Sequence, residues 1–163
     1  MLVQWLIFVH VLAAIGFFLF HGVSAAMAFQ MRRETDLARI RALLDLSANS
    51  LPLMGLSFAL LGLTGVALPF FVHIWDRVYI WLSIALMLGI FIYMGVFNEK
   101  HYKQLRRMVG LPYMKGNKSY PAEAPCSQEE VGTLIKSIRV GPLAAAGFGV
   151  PIIVLWLMVF KPF

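Results

Sequence analysis

Charge is scarce in this chain. Of its 163 residues, 13% are Asp, Glu, Lys or Arg and 60% are apolar, against about 25% and about 45–50% in ordinary soluble domains. That imbalance excludes disorder, a coiled coil and an ordinary cytosolic enzyme. Cysteine is nearly missing too: Cys126 is alone, so no internal disulfide framework exists. Residues 1–9 hold no Lys or Arg. The apolar run that they open far exceeds the about 7–15 residues of a signal peptide, so cleavage after Ala26-Met27-Ala28 is not expected. No phosphate-binding glycine loop and no clustered cysteines occur. No ionised side chain lies deep in an apolar block, which disfavours a proton pump or an ion-coupled transporter.

Four long apolar blocks fill most of the chain. Leu2 to Phe29, Leu51 to Val72, Val78 to Phe97 and Val140 to Phe160 contain no Asp, Glu, Lys or Arg. Each is long enough for a helix to cross about 30 Å of hydrocarbon, and a helix satisfies its own backbone where lipid cannot. The expected fold is all-α: one integral membrane domain over 1–163, a polytopic bundle of four transmembrane helices. Its spans are about 2–29, 51–72, 78–98 and 140–160, with a cytoplasmic loop about 99–139.

The basic residues set the orientation. Arg32, Arg33, Arg39 and Arg41 lie between the first two spans, and eight more lie between the third and fourth. Only Arg77 and Lys161 fall on the other side. Both termini should therefore face outward, to the periplasm if the membrane is a bacterial inner membrane. Trp5, Trp75, Trp81 and Trp156 fall toward the same outer ends, as an aromatic belt does. The net charge of +6 is then a topology signal, with anionic-lipid contact. A lipid bilayer is the expected partner and nucleic acid is not.

Between the spans the punctuation is readable. Asp36 reads as an N-cap, followed by Leu37, Ile40, Leu43, Leu44 and Ser47 at helical spacing. This predicts a short amphipathic helix on the cytoplasmic surface, with a new helix starting near Ser50 and Pro52. Pro69 should loosen the last turn of the second span. The short link around His73 to Arg77 makes the second and third helices antiparallel neighbours. The third should run on to Val109, ending at Gly110 and Pro112. Residues 111–126 read as a surface loop, and Ser127 with Glu130 has capping-box spacing. Gly141-Pro142 opens the fourth span. Glycines at 55, 62, 65, 89, 95, 147 and 149, and the Ala145/Gly149 pair, predict close helix packing. A porphyrin lying on a glycine face is the alternative.

The histidines carry the chemistry. His10 and His21 are 11 residues apart, which puts them within about 20° on one helix face. Ala13, Ala14, Phe17, Ser24 and Ala28 share that face, while Leu12, Ile15, Leu19 and Val23 lie opposite. Small residues mark helix contacts in membranes, so both histidines should point into the bundle. A buried histidine can ligate haem iron or another metal, or bond a neighbouring helix, or reach the wet interface. The interface suits His21, His73 and His101, and His10 is the deepest. Haem b held by two axial histidines would pair His10 with His73 and His21 with His101. Each pair is mismatched by about 10 Å along the membrane normal unless tilt or Pro69 compensates. Copper is the alternative metal, because thioethers are soft ligands: Met27 and Met31 are four residues apart, and Met87 and Met94 seven.

The run Trp5-Leu6-Ile7-Phe8-Val9-His10-Val11-Leu12-Ala13-Ala14-Ile15 resembles the opening of a group of small bacterial membrane proteins. The group includes the copper-resistance protein D family and the HemJ-type protoporphyrinogen oxidases. The whole chain is most similar to a related four-helix family of predicted integral membrane proteins of unknown function. Leu63-Thr64-Gly65-Val66-Ala67-Leu68, Trp81-Leu82 and Leu157-Met158-Val159-Phe160-Lys161-Pro162 carry that likeness. In the HemJ-type enzymes an early histidine is associated with haem b, which would map onto His10. Their Gly-Leu-Tyr-Leu-Pro-Arg run is replaced here by Gly16-Phe17-Phe18-Leu19-Phe20-His21, and their intramembrane lysine of the third helix is missing. The copper-resistance relatives imply membrane copper handling.

The expectation is an integral membrane accessory subunit holding haem b for electron transfer or a redox complex, with His10 as axial ligand. Its second ligand would be His73 or a residue of another chain. The rivals are a cofactor-free subunit packed against other membrane subunits or a second copy, and a copper or small-solute permease. The sequence leaves catalysis open and favours a non-catalytic subunit.

Overall fold

The computed structural model describes residues 1–115 and 118–162, with the side chains of 97–100 and 115 outside that description. Its elements run α1 (Leu2–Met31), α2 (Leu37–Val72), α3 (Val78–Met108), β1 (Tyr113–Lys115), β2 (Lys118–Tyr120), α4 (Gln128–Ser137) and α5 (Val140–Phe160). The all-α four-helix architecture holds: α1, α2, α3 and α5 are each long and apolar enough to cross a membrane. Their outward surface is apolar, as a lipid solvent requires. Leu19 and Leu63, for instance, are 62% and 69% exposed.

Face assignment on α1 follows the sequence. Ala13, Phe17, His21 and Ala28 are buried, and Leu12, Ile15, Leu19 and Val23 are exposed. Small and polar contacts stitch α1 to α2. Ser24 and Ser50 share a hydrogen bond of 3.1 Å. At Gly16 an added Cβ would lie 2.8 Å from the Ser57 hydroxyl. Such contacts let helix backbones approach where lipid supplies no hydrophobic drive.

Three expectations are corrected. The first concerns the amphipathic segment after Asp36, which is helical but not separate: α2 is one helix of 36 residues that runs through Pro52. Pro52 lacks one backbone donor, and a single lost bond does not stop a helix held by packing on both sides of it. Ile40 and Leu44 pack into a loop-end core, and the residues after Pro52 pack along α1. The second correction concerns neighbours. α2 and α3 follow each other through a tight turn but pack little. The main pairs are α1 with α2 and α3 with α5. The third is that residues 111–126 are not a plain loop, because Tyr113–Lys115 pairs antiparallel with Lys118–Tyr120, Tyr113 stacking on Tyr120.

The loop end is the best packed part of the protein. Met31, Ile40 and Leu44 meet Leu105, Val109, Val131 and Ile135 in one cluster, with Leu105, Val109 and Val131 fully buried. Polar contacts lock the same end. Asp36 caps α2 through Ala38 N–H, Ser127 and Glu130 form the expected capping box, and Arg41 Nε donates to the carbonyl of Val109 at the end of α3. Arg106 reaches Asp45 at 3.0 Å. At the opposite end, Tyr79 and Ile80 pack on Leu157, and Phe70, Trp75 and Trp81 form an aromatic cluster.

Candidate functional site

Because the two helix pairs touch little, space remains between them. Two cavities fill it. One, of about 620 Å³, lies toward the loop end and is lined by His21, Phe58, Phe91, Met94 and Tyr102 among others. The other, of about 980 Å³, lies toward the end that carries the termini, and His10, Phe18, Met87 and Pro151 are in its wall. Phe17 borders both. Its ring lies next to Phe58, which stacks on Phe91 across from α2 to α3 at 4.5 Å. Phe58 and Phe91 line only the loop-end space, and Phe17 is shared by both.

His10 is tied to α2. Its Nδ1 lies 2.8 Å from the Thr64 hydroxyl, and that hydroxyl donates back to the carbonyl of Leu60 at 2.6 Å. A hydroxyl has one proton. With that proton spent on Leu60, its oxygen accepts from His10, so Nδ1 carries the ring proton. In that tautomer Nε2 keeps its lone pair, and the Leu61 carbonyl is a further acceptor beside the ring. Gly65 makes the approach possible: a Cβ there would lie 3.2 Å from His10 Cε1. Metal-ligating histidines are oriented in this way, one ring nitrogen held by a protein acceptor and the other presented to the metal.

His21 has the opposite surroundings. It is 7% exposed, stacked on Phe17 with a 7° interplanar angle and met edge-on by Phe148. Its Nε2 is buried without a hydrogen-bond partner. A Cβ at Gly147 would lie 2.7 Å from that nitrogen, so the α5 backbone closes the approach to it. The expectation that His21 stays wet at the interface is corrected, because Gly147 lets α5 come close enough to cover it.

The expected histidine pairs are not brought together. His73 is the exposed C-cap of α2, in the left-handed region with φ 54°. It lies nine residues beyond Thr64, about 13 Å along the helix. His101 lies seven residues, about 10 Å, beyond the Met94 that borders Gly147 and His21. Among the described residues no group of three His, Cys, Asp or Glu side chains is placed to hold a metal ion. The methionines divide: Met27 and Met31 are buried, while Met87 lines the His10 cavity and Met94 the His21 cavity.

Close packing at glycine is narrower than the sequence implies. Of the seven glycines singled out there, only Gly65 and Gly147 meet another helix, and each receives a histidine. Gly149 faces open space and Ala145 is exposed, so that pair turns away from the chain's own helices. In the sequence Thr64 stands only within the Leu63-Thr64-Gly65-Val66-Ala67-Leu68 run. Its position in a span, one residue before a glycine, is the signal that marks it as a helix-contact partner. Compared with protein-family models, curated proteins and solved structures, the chain gives no match.

Proposed function

We propose that this chain is a membrane subunit that holds haem b in the cavity beside His10 and serves a redox complex. The observation that carries the reading is the chain from His10 through Thr64 to Leu60, which fixes the imidazole tautomer and leaves Nε2 for a metal in an apolar space. The about 980 Å³ of that cavity lies at the upper end of ordinary small-molecule sites, about 300–1,000 Å³. One neutral imidazole with an orienting hydrogen bond suits a single axial bond. The haem would supply one-electron transfer. Thr64 positions the ring and Gly65 admits it. A second axial ligand would come from another chain.

Two further readings have their own observations. A cofactor-free subunit packed against other membrane subunits is favoured by the outward-facing Ala145 and Gly149, because small residues suit a neighbouring helix. Copper handling is favoured by Met87, which shares the cavity with His10 and offers a soft thioether. The proposed setting is a bacterial inner membrane with periplasmic termini, resting on the twelve Lys and Arg of the two loops against Arg77 and Lys161.

Visible spectra of the protein purified in mild detergent test the proposal. Haem b gives a Soret band and an α-band that sharpens on reduction, and His10→Ala abolishes both. A colourless preparation from haem-replete cells rejects the haem reading in favour of the structural one, and copper in metal analysis favours the third. An impermeant thiol reagent should label Cys126 only after the cells are opened. Labelling of intact cells would reverse the orientation.

A further inference from the structure

Outside the two loops only Arg77 and Lys161 are basic, and both border the His10 cavity. Arg77 is the N-cap of α3 and Lys161 the C-cap of α5. These helices pack antiparallel with Tyr79, Ile80 and Leu157 between them, so both cations stand at the same end of the same space. Met87, ten residues along α3 from Arg77, and Pro151, ten residues along α5 from Lys161, line its deeper part. Each interval is about 15 Å of helix, half of the about 30 Å hydrocarbon layer. The cavity is thus a slot with an apolar body and a cationic rim. The helix ends at that rim offset each other, the N-terminus of α3 being positive and the C-terminus of α5 negative, so the positive charge there is that of the two side chains. Asp76 is the opposing charge, 3.7 Å from Arg77 in an exposed pair that solvent weakens.

We infer that the His10 cavity selects an anionic amphiphile, with its acid group held between Arg77 and Lys161 and its apolar body inserted beside Phe18 and Met87. This deepens the proposed function and rests on the cavity being a ligand site, but not on iron. Two sources share the chemistry: the carboxylates of a porphyrin, and the headgroup of an anionic lipid.

The test uses the full chain in a non-ionic detergent and two probes, a fluorescent long-chain carboxylic acid and its methyl ester. The acid binds about tenfold more tightly than the ester, the effect of about one charge-assisted hydrogen bond. Arg77→Gln with Lys161→Gln removes that preference and leaves ester binding unchanged, while Asp76→Asn strengthens it. Circular dichroism and size-exclusion profiles confirm that the variants fold. Equal binding of acid and ester, or a preference that survives the double substitution, overturns the inference. Haemin and micellar phosphatidylglycerol are then used as competitors: displacement by either supports the class and the stronger one names the source, whereas displacement by neither overturns it. Haem bands that are absent while the acid preference persists reject only the haem reading, and a lost acid preference with the haem bands retained rejects only this inference, so the two failures are distinguishable.

Discussion

The two ends of the bundle are built on opposite terms. At the loop end, α2 and α3 extend beyond their apolar blocks and meet α4 in a packed cluster. His21 lies nearby, sealed between Phe17, Phe148 and Gly147 with an unpartnered nitrogen. At the terminal end the helix pairs stand apart around the larger cavity, and His10 borders it with its proton committed to Thr64. The two histidines share one face of one helix. Their difference shows that helix phase decides which side chains turn inward, while the facing helix decides what they can do there.

The packed cluster at the loop end should respond most strongly to lost volume. Leu105→Ala, at a fully buried position, should destabilise the protein by about 2–5 kcal/mol, measured by denaturant unfolding in detergent. Ligand binding at the His10 cavity should not change in the folded fraction. The same truncation at lipid-facing Leu63 should cost under about 0.5 kcal/mol.

The histidines should then part company. Thr64→Val leaves His10 Nδ1 without its acceptor and should cost about 1–3 kcal/mol. His21→Leu removes a polar atom that has no partner at nearly constant volume, and should be neutral or stabilising. Gly147→Ala, with its Cβ 2.7 Å from His21 Nε2, should cost about 1–3 kcal/mol through overpacking. Gly65→Ala should cost less, because His10 has the cavity to move into. Thermal shift assays on the four variants check the pattern, and equal losses at both glycines would erase the contrast.

A smaller effect is expected at the rim. Lys161 holds a left-handed φ of 46° at the end of α5, a conformation that costs an L-residue about 1–2 kcal/mol. Lys161→Gly should therefore raise stability by about 1 kcal/mol. It should also weaken retention of an acidic ligand, a trade expected where strain serves a site. Unfolding and ligand titration on one preparation check both signs.

The weakest lever is pH at the loop end. The Tyr113 hydroxyl and the Arg107 guanidinium hold the Glu123 carboxyl below its usual range. A carboxylate lowered in this way contributes in full at neutral pH and loses its contribution as pH falls through its folded value. The hairpin around Tyr113 and Tyr120 should loosen in acid, seen as faster amide exchange there. Glu123→Gln should flatten that pH dependence without touching the His10 cavity.

Much of the architecture was legible from the chain. The four spans, the buried face of α1, the capping box at Ser127 and the run of α3 past the membrane are all local features. They follow from runs, helical period and short-range capping. Helix partners are not local. The short turn after α2 made α2 and α3 look like neighbours, yet each prefers another helix. Pro52 looked like a start, although the packing of Ile40 and Leu44 keeps α2 continuous through it. For the candidate site, His10 and its inward direction were legible, but Thr64, Gly65 and Gly147 take their roles only from the facing helices. Arg77 and Lys161, 84 positions apart in the sequence, first read as topology markers.

The most direct test is a pair of reduced-minus-oxidised visible spectra, of His10→Ala and His21→Ala, each purified from haem-replete cells beside the unmodified protein. The haem bands should vanish in the first and persist in the second. Bands that survive the loss of His10, or disappear with His21, would contradict the assignment of the iron-facing imidazole.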